Sequence, residues 1–234
     1  MLMTFLVVAI VSAALIAGAL WGIYGKLTTQ TQGFVIALAG GALIVSLVTE
    51  LIEPSLEQSN MWVGLGAVAA GAIVFTVIDY WIDEKWGADG GGGLLAAITL
   101  DGIPENLALG VALIGAKPIE VAALAGSILL SNLPEAAGGA KQMAGEGHSR
   151  AKILGLWAAT AAILSGAAIV GNIALEGVSP HFLAATRCFA AGAVVASLAI
   201  EVFPQAYKED HHMAGVATAI GVVLAVFLGE LGGG

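Results

Sequence analysis

Apolar residues fill most of the chain in long continuous runs, and polar positions fall mainly between the runs. Each run is close to 20 residues long, and a helix of that length spans a bilayer core of ~30 Å at 1.5 Å per residue. A membrane β-barrel would instead show short segments of alternating hydrophobicity. The pattern therefore predicts an all-α integral membrane protein with eight transmembrane helices, at 3–25, 31–53, 61–83, 92–115, 119–142, 152–175, 181–207 and 212–230.

The composition supports this class. Of the 234 residues, 59% are hydrophobic and only 11% are charged, whereas a soluble domain carries roughly 25% charged residues. The net charge of −9 argues against nucleic acid as a partner. The first apolar run lacks a positively charged start and is longer than the core of a signal peptide, so we expect it to be retained as the first span.

The basic residues of the loops predict an orientation. Loops that follow odd-numbered spans carry Lys26, Lys85, Lys141, Arg150, Lys152 and Lys208, whereas loops that follow even-numbered spans carry only Lys117. Loops rich in Lys and Arg face the cytoplasm. We therefore expect a multi-pass protein of the plasma or inner membrane, with both termini outside. The loops are short, so residues 1–234 are predicted to form a single transmembrane domain.

An internal repeat organises the spans. The stretch GALIVSLVTE at 41–50 matches GAVVASLAIE at 192–201, and the two lie 151 residues apart. Five spans separate the copies, so they are expected to be inverted in the membrane. The predicted fold is a three–two–three inverted-repeat bundle, an arrangement typical of transporters. Its parts are a first repeat at about 3–83, a central helix pair at about 92–142 and a second repeat at about 152–234.

Two segments of the central pair place a proline directly before a glutamate. They are DGIPENLALG at 101–110 and SNLPEAAGGA at 131–140. A carboxylate within the bilayer is costly, and a helical proline deprives a carbonyl one turn earlier of its usual donor. The carbonyls concerned are those of Leu100 and Leu130. Because the chain has both unfavourable features in two segments, we expect a polar site there. The alternative is that the acids are protonated and the prolines only kink the helices.

Five polar side chains of these segments are expected at one membrane depth. Asp101 and Glu105 are one turn apart on one helix face, and Ser131 and Glu135 have the same spacing. Asn132 lies three residues before Glu135 and shares its face. Because the two helices are joined by a short loop, they should run antiparallel and bring these groups together. Carboxylate, amide and hydroxyl oxygens are ligands for divalent cations, so the sequence predicts a metal site here.

Three further charged residues of the predicted spans bear on this site. Glu50 and Glu201 occupy equivalent positions of the repeat, and we expect them on opposite sides of the central site, along a transport path. The alternative is that both side chains extend to the bilayer interface. Arg187 is the only basic residue well inside a span, and it could neutralise one of the acids.

Together these features resemble the ZIP family of divalent metal transporters (Zrt-, Irt-like proteins), over nearly the whole chain. DGIPENLALG resembles the H-N-x-P-E-G signature of the family's fourth span. SNLPEAAGG resembles the corresponding motif of the fifth span, and SLAIEVFPQA resembles that of the seventh. The resemblance implies transport of Zn²⁺, Mn²⁺, Fe²⁺ or Cd²⁺ toward the cytoplasm, with no catalytic cofactor. It places the metal ligands at Asp101, Glu105 and Glu135, with Asn132 and Ser131 as auxiliary ligands.

The chain departs from the family signature in its fourth span. Asp101 stands where the family has histidine, Gly102 where it has asparagine, and Asn106 where it has glycine. Ser131 replaces a stronger ligand of the fifth span. These changes weaken a second metal site, and the loss of an imidazole shifts the expected preference from Zn²⁺ toward Mn²⁺ and Fe²⁺.

The sequence thus favours a divalent metal transporter whose partners are the metal and the lipid bilayer, as a monomer or a homodimer. Two alternatives remain open: a proton-coupled carrier of another solute, and a membrane metal sensor that does not transport. An enzyme is disfavoured because the sequence has no nucleophile–base pair and no histidines at metalloprotease spacing.

Overall fold

The structure is a computed structural model that describes residues 2–86, 91–116 and 121–232; the side chains of residues 3, 82–86, 91–97, 100, 101, 231 and 232 lie outside the description. Two π-helical segments, π1 (Leu47–Ile52) and π2 (Leu198–Val202), join α2 to α3 and α8 to α9. The α-helices are α1 (Leu2–Tyr24), α2 (Thr29–Ser46), α3 (Glu53–Gln58), α4 (Met61–Trp86), α5 (Gly91–Ala112), α6 (Ala122–Gly145), α7 (Arg150–Ala174), α8 (Pro180–Ser197), α9 (Phe203–Glu209) and α10 (Ala214–Gly232).

All the regular secondary structure in the described part of the chain is helical, which confirms the all-α prediction. Each predicted span has a helical counterpart, but the second and seventh are longer than predicted. Five described helices are long and apolar enough to cross a membrane: Thr4–Tyr24, Thr29–Gln58, Met61–Trp81, Arg150–Ala174 and Pro180–Glu209. The apolar part of α10 is shorter, at Ala214–Glu230. These helices indicate a membrane-embedded protein, whereas its orientation and eightfold crossing stay predictions.

Each π-helical segment ends two residues before a proline, at the point where the helical rods Thr29–Gln58 and Pro180–Glu209 continue past it. Pro54 lies in the first turn of α3, and Pro204 lies in the first turn of α9. A proline in a regular helix clashes with the carbonyl four residues earlier. A π-helical turn widens the helix locally, so the chain continues past the proline. Glu50 and Glu201 are the fourth residues of π1 and π2, at matching positions of the repeat.

Glycines bring helices into backbone contact, among them α2 with α10, α4 with α8 and, through Gly110 and the Ala168 carbonyl, α5 with α7. At each of these glycines a Cβ atom would overlap a carbonyl oxygen of the partner helix. Close approach through small residues is typical of helices that pack in lipid. The glycine and carbonyl pairs are Gly41 with Thr218, Gly221 with Leu38, Gly71 with Phe189, and Gly192 with Val68.

The central helices pack mainly on α1 and α7. Gly18 of α1 meets the carbonyl of Leu133, and Gly22, one turn later, meets the carbonyl of Ala137. A step of four residues toward the carboxyl end of α1 thus moves the contact four residues toward the carboxyl end of α6, so the two helices run parallel. Helix α5 packs chiefly against α7, and it also contacts α6 and α8. The two proline–glutamate segments therefore lie inside the bundle.

Large apolar side chains cover the outer faces of α4 and α10. Trp62, Ile73, Val223 and Phe227 are all exposed. Exposed apolar surface of this extent is typical of protein that faces lipid rather than water. The residues that pack inside the bundle are smaller on average, and many are alanine and glycine.

Candidate metal centre

Helices α5 and α6 carry the two proline–glutamate segments, and both helices continue through their prolines. Pro104 lies inside α5, and Pro134 lies inside α6. Around them stand α1 and α2, which pack on α6, and α7 and α8, which pack on α5. The predicted ligands are therefore held by two long helices in the middle of the bundle rather than by loops.

The glutamates of the two segments are close to each other within an apolar surround. Glu105 is only 4% exposed, and Glu135 is half-buried. Glu135 experiences Coulombic repulsion from Glu105, Glu201 and Glu209. The structure thus brings together the two predicted α5 and α6 acids and one of the two predicted path acids. Like charges at this depth need a cation or protons to compensate them.

Ser131 and Asn132 lie on α6, within one turn of Glu135. The Ser131 hydroxyl is buried and donates to the carbonyl of Ile128 at 3.2 Å. Asn132 is 2% exposed, and its Nδ2 atom has no hydrogen-bond partner among the described residues. An unsatisfied buried amide costs about 1–3 kcal/mol. Rotation of the side-chain amide places either oxygen or nitrogen at this position, so Asn132 can offer an oxygen ligand.

Asp101, the remaining predicted ligand, lies one turn before Glu105 in α5, but its side chain falls outside the described residues. Its role as a ligand stays a prediction. Among the residues whose side chains are described, no group of three or more His, Cys, Asp or Glu is close enough to hold a metal ion. The described part of the site therefore consists of the Glu105 carboxylate on α5 and the Glu135 carboxylate on α6. The Asn132 amide and the Ser131 hydroxyl lie on α6 within one turn of Glu135.

Glu50 does not join this group of acids. Its Oε1 atom accepts a hydrogen bond from the backbone N–H of Leu124 at 3.0 Å, at the start of α6. Its Oε2 atom is buried and has no hydrogen-bond partner among the described residues. The side chain is thus bonded inside the bundle. Its predicted place on a transport path stays a prediction.

Arg187 does not neutralise an acid in the described part of the structure. Its Nη2 atom donates to the carbonyls of Val111 at 3.3 Å and Ile114 at 3.1 Å. The one ion pair found between described residues joins His148 and Glu146 and does not involve Arg187. The guanidinium therefore binds the carboxyl-terminal end of α5 instead of compensating the central carboxylates.

Glu209 is a member of the acid group that the sequence analysis did not include. Its Oε1 atom accepts hydrogen bonds from Gln32 Nε2 at 2.9 Å and Gln205 Nε2 at 3.2 Å. The Gln32 amide also fills the space left by Gly138, so a Cβ there would overlap it. One signal was present in the sequence: Glu209 follows Glu201 by eight residues, about two helical turns along the same rod.

Asn106 is a second residue whose importance the sequence did not show. It directly follows Glu105 and is fully buried. Its Nδ2 atom donates to the Gly102 carbonyl at 2.9 Å, and its Oδ1 atom has no hydrogen-bond partner among the described residues. On the same face of α5, a Cβ at Gly102 would meet Leu164 of α7. Asn106 therefore leaves an unsatisfied oxygen on a buried face of α5.

Compared with models of known protein families and with curated proteins, the chain matches none of them.

Proposed function

We propose that this protein transports a divalent metal cation across the membrane toward the cytoplasm, through a carboxylate site on α5 and α6, and that it is a ZIP-type transporter. One observation carries the proposal: Glu135 lies in Coulombic range of Glu105, Glu201 and Glu209 inside an apolar bundle. A group of acids at this depth is unfavourable unless a cation or protons occupy it. Intramembrane carboxylates of this kind mark ion pathways.

The chemistry of the side chains favours a divalent metal over an organic solute. Carboxylate and amide oxygens bind hard and borderline cations. Asn132, three residues before Glu135, has a buried amide atom without a partner among the described residues, so its amide is available to a cation. Asp101, one turn before Glu105, would add a second carboxylate from α5.

The repeat supports an inverted three–two–three bundle of the transporter type. Helix α2, π1 and α3 recur as α8, π2 and α9 about 151 residues later. Gly41 and Gly192, at equivalent positions, both make backbone contacts with a partner helix. In such a bundle a midplane site opens alternately to the two sides. The predicted orientation would place Glu50 on the outer side, with Glu201 and Glu209 toward the cytoplasm.

The test is metal uptake into liposomes that contain the purified protein, with Zn²⁺, Mn²⁺, Fe²⁺ and Cd²⁺ measured separately. We expect saturable uptake of at least one of these ions, and none in protein-free liposomes. Tight metal binding without uptake would contradict the proposal and support a sensor. Currents driven by a pH gradient without any of these metals would instead support a proton-coupled carrier of another solute.

Replacement of Asp101 by histidine is expected to change the ion preference. An imidazole nitrogen is a softer ligand than a carboxylate, so Asp101→His should raise uptake of Zn²⁺ relative to Mn²⁺, by on the order of tenfold. The measurement is competition between the two ions in the same liposomes. Glu57→His, at an exposed position of α3, is the matched control and should leave the ratio unchanged. An unaltered ratio in Asp101→His would remove Asp101 from the ligand set.

A further inference from the structure

The facing ends of α5 and α6 are buried, although helix ends usually lie at a protein surface. We call residues 111–114 and 121–124 the hairpin end. Within it Leu113 is 8% exposed, Val121 is 3% exposed and Leu124 is fully buried. A helix end leaves backbone N–H or C=O groups without intrahelical partners. Because these ends are away from water, other side chains must satisfy those groups.

A carboxylate from another helical rod satisfies the start of α6. The residue before α6, Val121, makes no side-chain cap. Glu50 of π1 instead accepts from the N–H of Leu124, the third residue of α6, at 3.0 Å. A negative charge at a helix amino terminus is also favourable because it opposes the positive end of the helix dipole. Glu50 therefore fixes α6 to the rod Thr29–Gln58.

A guanidinium from the other rod satisfies the end of α5. Arg187 of α8 donates to the carbonyls of Val111 and Ile114. These carbonyls belong to the last turn of α5 and the residues just after it, where a positive charge opposes the negative end of the helix dipole. Arg187 therefore fixes α5 to the rod Pro180–Glu209. The negative Glu50 caps a helix amino terminus and the positive Arg187 caps a helix carboxyl terminus, so each charge is favourable where it lies.

The two capping residues lie at similar depth in their rods. Glu50 is eight residues from the end of its rod at Gln58, and Arg187 is seven residues from the start of its rod at Pro180. At 1.5 Å per residue, roughly 10–12 Å of helix extends beyond each contact. The hairpin end is thus held well below the ends of both rods. The position equivalent to Arg187 in the first repeat is Ile36, which cannot cap a helix.

We propose that the hairpin end closes the outer side of the path to Glu105 and Glu135, and that Glu50 and Arg187 are positioning residues that hold it closed. This inference rests on the proposed function, because the closure matters only if a solute passes. Both contacts are incomplete: Glu50 Oε2 and Arg187 Nε are buried without partners among the described residues. Incomplete satisfaction lowers the cost of breaking each contact. Such contacts can open while the glycine-packed helix pairs stay intact.

The test is hydrogen–deuterium exchange of the full chain in lipid, without any metal, compared between variants. Glu50→Gln and Arg187→Met should each speed exchange at residues 109–114 and 121–128, on the order of tenfold, because a charge-assisted cap is lost. Exchange in the α4–α8 pair around Gly71 should not change. Arg187→Lys, which keeps a donor and the charge, should restore part of the protection.

Matched controls lie beside each capping residue. Glu53→Gln alters an exposed acid three residues after Glu50, and Thr186→Val alters a hydroxyl that bonds only within its own helix, to the Phe182 carbonyl. Neither should change exchange at the hairpin end. Unchanged exchange in Glu50→Gln and Arg187→Met would overturn the inference, and so would an equal increase throughout the chain. Because no metal is present, a failure of metal uptake leaves this result interpretable by itself.

Discussion

Replacement of Glu105 by glutamine is expected to abolish saturable metal uptake. Glutamine keeps the size of the side chain and removes its negative charge, at a position that is 4% exposed and near Glu135. Loss of an outer-shell partner alone costs 10–100-fold in metal affinity. Loss of a ligand in this apolar surround should therefore lower uptake about 100-fold or more. Initial uptake rates over a range of metal concentrations measure the effect.

Glu135→Gln should have the same effect, because in the proposed site the carboxylates of both helices bind one ion. Glu53→Gln provides the control, since Glu53 is an exposed acid at the start of α3. Size-exclusion chromatography of each variant shows whether it is folded before uptake is measured. Normal uptake in both Glu105→Gln and Glu135→Gln would refute the carboxylate site and, with it, the proposed function.

Replacement of Gly221 by alanine is expected to destabilise the bundle strongly. A Cβ at this position would overlap the backbone carbonyl oxygen of Leu38, and a carbonyl in the middle of α2 cannot move aside alone. Overpacking of a well-packed interior costs typically about 1–3 kcal/mol. The loss should appear as a lower midpoint of thermal unfolding for the purified protein in detergent.

Gly229→Ala is the control on the same helix, because nothing lies within 4 Å of a Cβ built there. Alanine is a better helix former than glycine by roughly 0.5–1 kcal/mol. The control should therefore be as stable as the natural protein or slightly more so. Equal midpoints for Gly221→Ala and Gly229→Ala would show that α2 and α10 are not in backbone contact.

The positions of the helices were largely predictable, because hydrophobic run length determines where a membrane helix can lie. The rod Thr29–Gln58 shows where this reasoning stops. The second predicted span ended at 53, immediately before Pro54, whereas the seventh predicted span, 181–207, already ran through Pro204. The structure continues through Pro54 and Pro204 because a π-helical segment precedes each of them. Run length and composition do not distinguish such a turn from an α-helical one.

Part of the site was predictable as well. Helical spacing shows which side chains share a face, and the short loop predicts that the two central helices run antiparallel. Glu105 and Glu135 could therefore be placed together. It does not show which helix ends are buried. The contact of Glu50 with Leu124 and that of Arg187 with α5 depend on that burial, so Glu50 was instead assigned to a transport path and Arg187 to one of the acids. Glu209 was missed because its proximity to Glu135 depends on how α9 packs against α2.

The glycine contacts also constrain how the protein is assembled during synthesis. They join α1 with α6, α2 with α10, α4 with α8 and α5 with α7, and in each of these pairs other helices intervene along the chain. Helices enter the bilayer in order and then associate. The face of α2 at Gly41 therefore stays uncovered until α10 has been inserted. Because α10 follows α2 by about 170 residues, a chain that lacks α10 should be open to degradation.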